Sequence, residues 1–210
     1  VGAGLTTVIT QEAHRVPLLN ALPEVMVSCS QTMSDIEHTI HKANVVIIGP
    51  GLGQSAWSEK VLLAALQSKK NLVIDADALN LLSDKFASMF TSNTFNTGKH
   101  ILTPHPGEAA RLLGSDTKTL QENRLEAIQA LHRKYGGDIL LKGSGSLICS
   151  HDGTLSLSPY GNPGMASGGM GDVLSGLIGG LLAQGLDKSI ALKLAVCLHA
   201  KAADIASQEC

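Results

Sequence analysis

Short apolar runs recur along the chain, and most of them contain no strongly polar residue. The runs are Leu5–Thr10, Val25–Cys29, Val45–Ile48, Leu72–Ile74, His100–Thr103, Ile139–Leu141 and Leu147–Cys149. Such runs are typical of strands buried on both faces, as in a parallel sheet, rather than of half-exposed antiparallel strands. Segments with helical periodicity, Trp57–Gln67 and Thr119–Tyr135, lie between them. This alternation predicts an α/β layered fold whose parallel strands are joined by right-handed crossovers.

The last part of the chain departs from this alternation, because two helices are predicted in succession. The first, Met170–Gln184, is apolar nearly all round and contains glycines that permit close packing, so we expect it to be central. The second, Lys188–Ser207, carries an apolar stripe. No linker-like stretch or repeat divides the 210 residues, which predicts a single domain. Thr91–Lys99 is the most loop-like segment.

The composition excludes several classes of protein. Sixteen Lys and Arg against eighteen Asp and Glu give a formal charge of −2, and aromatic residues make up 3%, which argues against nucleic-acid binding. The longest apolar run, Val173–Ala183, is too short to span a membrane, which takes about 20 residues. The cysteines form no CxxC motif and no secretory signal opens the chain, so we expect reduced thiols and a cytoplasmic location. Because the chain starts at Val1 without an initiator Met, we expect it to be a piece of a longer one.

The segment from Gly161 to Asp172, GNPGMASGGMGD, is the strongest functional signal. It is rich in glycine and leads directly into the predicted central helix. A glycine-rich turn at a helix N-terminus exposes backbone N–H groups that, with the helix dipole, bind an anion without any basic side chain. Asp172 lies at the same helix start and could simply cap it. A carboxylate beside a phosphate is repulsive, however, and is better explained as a group that binds a hydroxyl and accepts its proton during phosphoryl transfer.

Four further segments follow predicted strands, and each has a structural alternative. Gly49–Gly53 is either a ligand contact or a tight turn. In Asp75–Asn80, the Asp77 carboxylate could cap a helix or take a catalytic role, and Asn80 could face the site. His105, fixed between two prolines, is expected to contact a ligand, and Glu108 either caps a helix or helps to hold magnesium. Lys142 and the glycine-rich residues after it are expected to contact a nucleotide, although Lys142 could be an ordinary solvent contact.

Ligands of parallel α/β sheets bind at the carboxyl ends of the strands, where all five segments are expected. They predict one long crevice, large enough for a nucleotide and a second substrate. The glycine-rich anion site and Asp172 indicate phosphoryl chemistry on a hydroxyl-bearing substrate. From the residues alone, we therefore expect a nucleotide-dependent enzyme.

The five segments resemble, in the same order, those of the carbohydrate-kinase-like NAD(P)H-hydrate dehydratase family. The matching stretches are GPGLG at Gly49–Gly53, DADALN at Asp75–Asn80, LTPHPGEAARLLG at Leu102–Gly114, KGSGSLI at Lys142–Ile148 and NPGMASGGMGDVLSG at Asn162–Gly176. The last stretch is highly specific. The resemblance implies a ribokinase-like fold, with a central, mainly parallel sheet flanked by helices on both faces. It also implies repair of hydrated NADH or NADPH (NADHX, NADPHX), with ADP or ATP as co-substrate and magnesium as phosphate counter-ion.

The resemblance also implies a role for particular residues. Catalytic roles fall to Asp172, which would act on the C6 hydroxyl, and to the amides of Gly169 and Gly171, which would stabilise the transferring phosphoryl group. The adenine nucleotide would be held by Lys142, Gly143, Ser144, Gly145, Ser146, Gly168 and Gly171. The hydrated cofactor would contact Gly51, His105, Asp172 and Asn80. No metal ligands are specified.

The resemblance implies three further properties. Family domains begin with an earlier strand and end with a further helix, so residues 1–210 are expected to be one such domain that lacks both. In bacteria the domain is often fused behind an epimerase domain, the family often forms homo-oligomers, and ADP is favoured over ATP. The alternatives are a small-molecule kinase of the same superfold, of the hydroxymethylpyrimidine type, and a non-catalytic nucleotide-sensing domain.

Overall fold

A computed structural model describes residues 1–91 and 98–209 of the protein and contains two sheets. The smaller sheet pairs two parallel strands, β1 (Thr7–Ile9) and β2 (Met26–Ser28). The larger sheet has six strands in the order β3-β4-β5-β6-β7-β8. These are β3 (Val45–Ile48), β4 (Asn71–Ile74), β5 (His100–Leu102), β6 (Asp138–Leu141), β7 (Leu147–Cys149) and β8 (Leu155–Leu157).

The strands from β3 to β6 pair in parallel, whereas β7 pairs antiparallel with both β6 and β8. The predicted, mainly parallel sheet is therefore confirmed. Because the direction reverses twice, β8 runs the same way as β3 to β6, and all five strands end at the same edge of the sheet. The sequence did not predict β8, in which Leu155 is 37% and Leu157 is 61% exposed around a central serine.

Helices connect the strands and follow the last one. Before β5 they are α1 (Arg15–Ala21), α2 (Met33–Lys42), α3 (Ala56–Gln67), α4 (Ala76–Leu81) and α5 (Ala87–Thr91), with a π-helical turn at Leu82–Phe86. After β5 they are α6 (Pro106–Leu113), α7 (Thr117–Glu122), α8 (Arg124–Tyr135), α9 (Met170–Ala183) and α10 (Lys188–Glu209). Short 3-10 turns occur at Glu12–His14 and Pro163–Met165. No helix in the described ranges is long and apolar enough to cross a membrane.

Two apolar clusters cover opposite faces of the large sheet. One packs side chains such as Ile74 and Leu102 against helices that include α3, α6 and α8. The other packs Val73, Ile101 and Leu140, whose side chains point to the opposite face, against α9 and α10. Since neighbouring residues of one strand point to opposite faces, a continuous apolar run fills both clusters. The prediction of helices on both faces is confirmed.

One helix prediction was wrong in detail. The segment Thr119–Tyr135 forms two helices, α7 and α8, because the chain leaves helical geometry at Asn123, with φ −133° and ψ 52°. Asp116 caps the first of them by accepting from the amide of Thr119 at 2.9 Å. The predicted central helix and the one after it are α9 and α10, with ends within two residues of those expected. Most of the expected loop at 91–99, namely residues 92–97, lies outside the described residues.

Candidate active site

Four of the predicted segments lie side by side at one edge of the sheet, because β3 to β6 are neighbouring parallel strands. Gly49 follows β3, Asp75 follows β4, Thr103 follows β5 and Lys142 follows β6. Backbone bonds extend the pairing past the strand ends: the Asp75 amide donates to Ile48, that of Thr103 to Ile74 and that of Lys142 to Pro104. The fifth segment follows β8 and leads into α9, which packs on β3 and β4.

A buried ion pair joins two of these strand ends. The side chain of Asp75 is 1% exposed, and its Oδ1 accepts from Nζ of Lys142 at 2.7 Å and from the amide of Ala76 at 2.9 Å. Its Oδ2 accepts from Oγ of Ser175, in the second turn of α9, at 2.7 Å. A methyl group placed on Gly171 would come within 3.2 Å of Nζ of Lys142. The network therefore brings the predicted residues Lys142 and Gly171 together.

The glycine-rich segment presents unbonded amides at the start of α9. Gly169 precedes the helix in left-handed geometry, at φ 87°, and no side chain caps the helix there. Within the described chain, the amides of Gly168–Gly169 and Gly171–Asp172 donate no hydrogen bond. Apart from its chain neighbours, no atom lies within 4 Å of where a Cβ on Gly168 or Gly169 would be. Free amides, open space and a helix N-terminus are the features of an anion site.

Asp172 lies in the first turn of α9 with its side chain exposed. It makes no hydrogen bond or ion pair with any residue in the described ranges, so it does not cap the helix through its side chain. A free carboxylate beside free amides can accept a hydroxyl proton next to a bound phosphoryl group, as a general base requires.

The entry of the glycine-rich segment is held by a residue that the sequence did not indicate. Asp204, on α10, accepts from the amide of Gly161 and from Nδ2 of Asn162, both at 3.0 Å. These bonds lower the pKa of the Asp204 carboxyl. The contact spans more than 40 residues of sequence, and α10 read only as an amphipathic helix, so no local signal pointed to it.

Lys142 to Ser146 form a turn that is held by a second unpredicted residue, Arg124, at the start of α8. Its guanidinium donates to the carbonyl of Ser144 and, at 3.4 Å, to that of Leu141. Burial lowers the pKa of Arg124. The hydroxyl of Ser146 donates to the carbonyl of Gly143 at 3.2 Å. Since carbonyls bind the arginine and the lysine binds Asp75, the turn is built before any ligand arrives.

His105 caps α6 and forms a capping box with Glu108. Nδ1 of His105 accepts from the amides of Gly107 and Glu108, at 3.0 and 3.3 Å, and the Glu108 carboxylate accepts from the His105 amide at 2.8 Å. Nε2 of His105 lies 3.3 Å from the buried Glu108, while half of the imidazole stays exposed. Of the two roles considered for Glu108, the structure shows the cap.

Gly49–Gly53 makes the tight turn that the sequence allowed. A Cβ on Gly49, at φ 126°, would lie 1.7 Å from the carbonyl oxygen of Asp75, so only glycine fits. Gly51, at φ 61°, is exposed, and apart from its chain neighbours nothing lies within 4 Å of where its Cβ would be. Asp77 holds this turn by accepting from the Gly53 amide at 2.8 Å, whereas the helix cap, one of the two roles considered for Asp77, is made by Asp75.

Asn80 lies on α4, and its Oδ1 accepts from the guanidinium of Arg111 on α6. This pair is separate from the network around Asp75 and Lys142. Within the described residues, no hydrogen bond or ion pair joins Gly51, His105 or Asn80 to Asp172. No group of three or more His, Cys, Asp or Glu residues able to hold a metal occurs within residues 1–91 and 98–209.

Comparisons with known proteins agree on one family. The family model described as NAD(P)H-hydrate dehydratase matches residues 1–210. A bifunctional NAD(P)H-hydrate repair enzyme from Coxiella burnetii is 44% identical over 210 residues, which are all of this chain but only 41% of that protein.

Two solved structures are similar over almost the whole chain. A ribokinase-like superfamily protein from Enterococcus faecalis is 34% identical with a TM-score of 0.81, covering 98% of this chain and 70% of its own. The ADP/ATP-dependent NAD(P)H-hydrate dehydratase from Bacillus subtilis, co-crystallised with ATP and Mg²⁺, is 28% identical with a TM-score of 0.79. It matches 99% of this chain and 72% of its own. These likenesses confirm the ribokinase-like fold, and the chain belongs to the NAD(P)H-hydrate dehydratase family.

Proposed function

We propose that the chain dehydrates NADH hydrate and NADPH hydrate back to NADH and NADPH, with ADP converted to AMP and phosphate. The observation that carries the proposal is the start of α9, where free amides of Gly168–Gly169 and Gly171 adjoin the free carboxylate of Asp172. Amides that point at developing charge stabilise a transferring phosphoryl group without reorganisation. A carboxylate that makes no other bond is available to accept the proton of the hydroxyl that attacks this phosphoryl group.

The reaction balances through Asp172 and the nucleotide. Asp172 accepts the proton of the C6 hydroxyl, whose oxygen attacks the β-phosphorus of ADP and releases AMP. The ring nitrogen then expels phosphate by breaking the C6–O bond, and loss of a C5 proton restores the dihydropyridine. The hydrate oxygen leaves in the phosphate. The amides of Gly169 and Gly171 act on the transferring group, in the electrostatic role given to such donors.

The remaining site residues divide between the two substrates. We assign the nucleotide to Gly168 and Gly171 and to the turn Lys142–Ser146, which Arg124 holds in place. We assign the hydrated cofactor to Asp172, to two residues of the neighbouring strand ends, Gly51 and His105, and to Asn80. The half-exposed imidazole of His105 has a fixed orientation, since Nδ1 accepts from the helix.

Magnesium fits the site as part of the nucleotide complex. Mg²⁺ is usually held by one or two carboxylates together with substrate phosphates. The described residues contain no preformed metal cluster, and Glu108 is occupied by its capping box. The phosphates of ADP would supply most of the ligands, and the ion would supply charge neutralisation.

The setting of the domain is proposed from its relatives. The relative from Coxiella burnetii is named bifunctional, and this chain spans 41% of its length. We propose that residues 1–210 belong to one ribokinase-like domain, that it is fused to an N-terminal NAD(P)HX epimerase domain, and that the protein is a cytoplasmic homo-oligomer.

The proposal is tested by recovery of dihydronicotinamide absorbance from hydrated NADH with Mg²⁺ and ADP, and then with ATP. Asp172→Asn should reduce kcat by roughly 100-fold or more, as expected for loss of a general base. Asp152→Asn is the matched control, because Asp152 is an exposed aspartate in the β7–β8 turn at the opposite edge of the sheet. Phosphate transfer from the nucleotide to another alcohol, without repair, would instead support the hydroxymethylpyrimidine-type kinase.

A further inference from the structure

Asp75 is a buried carboxylate at the site to which the proposed reaction gives no task. Its side chain is 1% exposed, and it lies at the end of β4, in the middle of the parallel strands. Burying a carboxylate costs free energy unless hydrogen bonds and an opposite charge compensate for it. Hydrogen bonds and an opposite charge are both present around Asp75, so its surroundings stabilise the ionised carboxylate.

The partners of Asp75 come from parts of the chain that are far apart in sequence. Lys142 is 67 residues away and Ser175 is 100 residues away, and each donates at 2.7 Å. The third donor is the amide of the next residue, Ala76. The carboxylate thus ties together the end of β4, the end of β6 and the second turn of α9.

The lysine gains a fixed place from this network. A lysine has a long, flexible side chain, and its ammonium can adopt many positions. The Lys142 ammonium is held where a methyl group on Gly171 would come within 3.2 Å, beside the free amides of α9. One of its three N–H groups donates to Asp75, and no other acceptor for it is found in the described part of the chain. The other two are available to a ligand.

We infer that Asp75 is a positioning residue for the nucleotide: together with Ser175, it holds the Lys142 ammonium at the start of α9, where it meets the phosphate chain of a nucleoside diphosphate. The inference deepens the proposed function and rests on its assignment of the nucleotide to Lys142. Asp75 itself touches neither substrate. Its effect on the reaction passes through Lys142.

The test is a double-mutant cycle in the full-length protein, with Asp75→Asn, Lys142→Met and the two combined. Asp75→Asn should raise the KM for ADP and the Kd for MgADP by roughly 10- to 100-fold, the effect of losing one hydrogen bond to a charged group, with the KM for the hydrated cofactor unchanged. The double variant should bind MgADP no more weakly than Lys142→Met alone. Losses that multiply would show that the two residues act separately and would overturn the inference.

Asp138→Asn is the matched control for loss of a buried carboxylate. Asp138 is fully buried at the amino end of β6, bonded to Ser189 at 2.6 Å and 3.6 Å from Nζ of Lys188. Asp138→Asn should lower the melting temperature and leave the Kd for MgADP unchanged. An equal effect of both substitutions on MgADP binding would reduce Asp75 to a structural residue.

Two further outcomes are decisive. If the negative charge of Asp75 mainly repels phosphate, Asp75→Asn will tighten MgADP binding, which would overturn the inference. If Asp75→Asn does not fold, Ser175→Ala replaces it as the test variant, because it removes one hydrogen bond to Asp75 and keeps the ion pair with Lys142. We then expect a few-fold rise in the Kd for MgADP. An unchanged Kd would count against the inference. Calorimetric binding of MgADP does not depend on the reaction. Failed cofactor repair by the wild type would therefore refute the proposed function and leave this test intact.

Discussion

Replacement of Gly171 by alanine should separate stability from nucleotide binding. Gly171 is helical, in the first turn of α9, and is not among the glycines at positive φ. Alanine in a helix interior is more favourable than glycine by about 0.8–1 kcal/mol, which sets the upper limit for this first-turn position. In a chain of this size, about 1 kcal/mol corresponds to a rise in melting temperature of roughly 2–4 °C.

The new methyl group would lie on the proposed nucleotide side of the site. It would lie 3.2 Å from Nζ of Lys142 and 3.8 Å from Oδ2 of Asp75, so the ammonium must move by a few tenths of an ångström. Such a shift costs little for the tip of a flexible side chain, and stability should therefore be unchanged or slightly higher. The ammonium would leave its place beside the amides, however, and we expect the KM for ADP to rise by about 10-fold.

Gly176→Ala is the matched control on the same helix, because Gly176 is exposed and no atom lies within 4 Å of its would-be Cβ. It should give the same or a larger gain in melting temperature with no change in the KM for ADP. Thermal unfolding of both variants measures the change in stability, and initial rates at varied ADP concentration measure the change in KM. An unchanged KM in Gly171→Ala would refute the placement of the nucleotide against this turn, and a large loss of stability would refute the packing argument.

Two other predictions concern the proposed mechanism and the pH dependence of stability. Hydrate carrying ¹⁸O at C6 should yield phosphate with one ¹⁸O by mass spectrometry, whereas label in water alone would exclude phosphorylation of the hydroxyl. Burial, the largest cause, lowers the pKa of His100 below its usual value, so the unfolded chain binds the proton more readily than the folded one. The free energy of unfolding should therefore fall as the pH drops below about 6.5, and His100→Gln should flatten that slope; an unchanged slope would show that other groups cause it.

The strand skeleton was predictable because burial on both faces leaves a local signal. Runs such as Val45–Ile48 and Leu72–Ile74 are apolar at every position, and each became a strand of the large sheet. β8 left no such signal, since its alternating residues are partly exposed at the edge of the sheet. The break at Asn123 was also missed, because apolar residues on both sides of it keep helical spacing.

The site was predictable where a local motif carried it, and not where distant parts of the chain meet. The five segments at the strand ends follow from sequence order and parallel topology. The anchors Arg124 and Asp204 lie on helices that gave no hint of a partner, and their contacts depend on tertiary packing. The helix cap considered for Asp77 is made by Asp75 for the same reason: which carboxylate caps α4 depends on how the Gly49–Gly53 turn folds over them.

The donors at the start of α9 are main-chain groups, and this has a consequence for how the site can change by mutation. No codon change removes a backbone N–H unless it introduces proline. Substitutions at Gly168 and Gly169 would therefore leave the donors in place and add atoms in front of them, and at Gly169, with φ 87°, they would also strain the backbone. The two positions thus require the absence of a side chain rather than the presence of a functional group. The proposed phosphate site therefore depends on the absence of side chains, which a search for charged or nucleophilic residues would overlook.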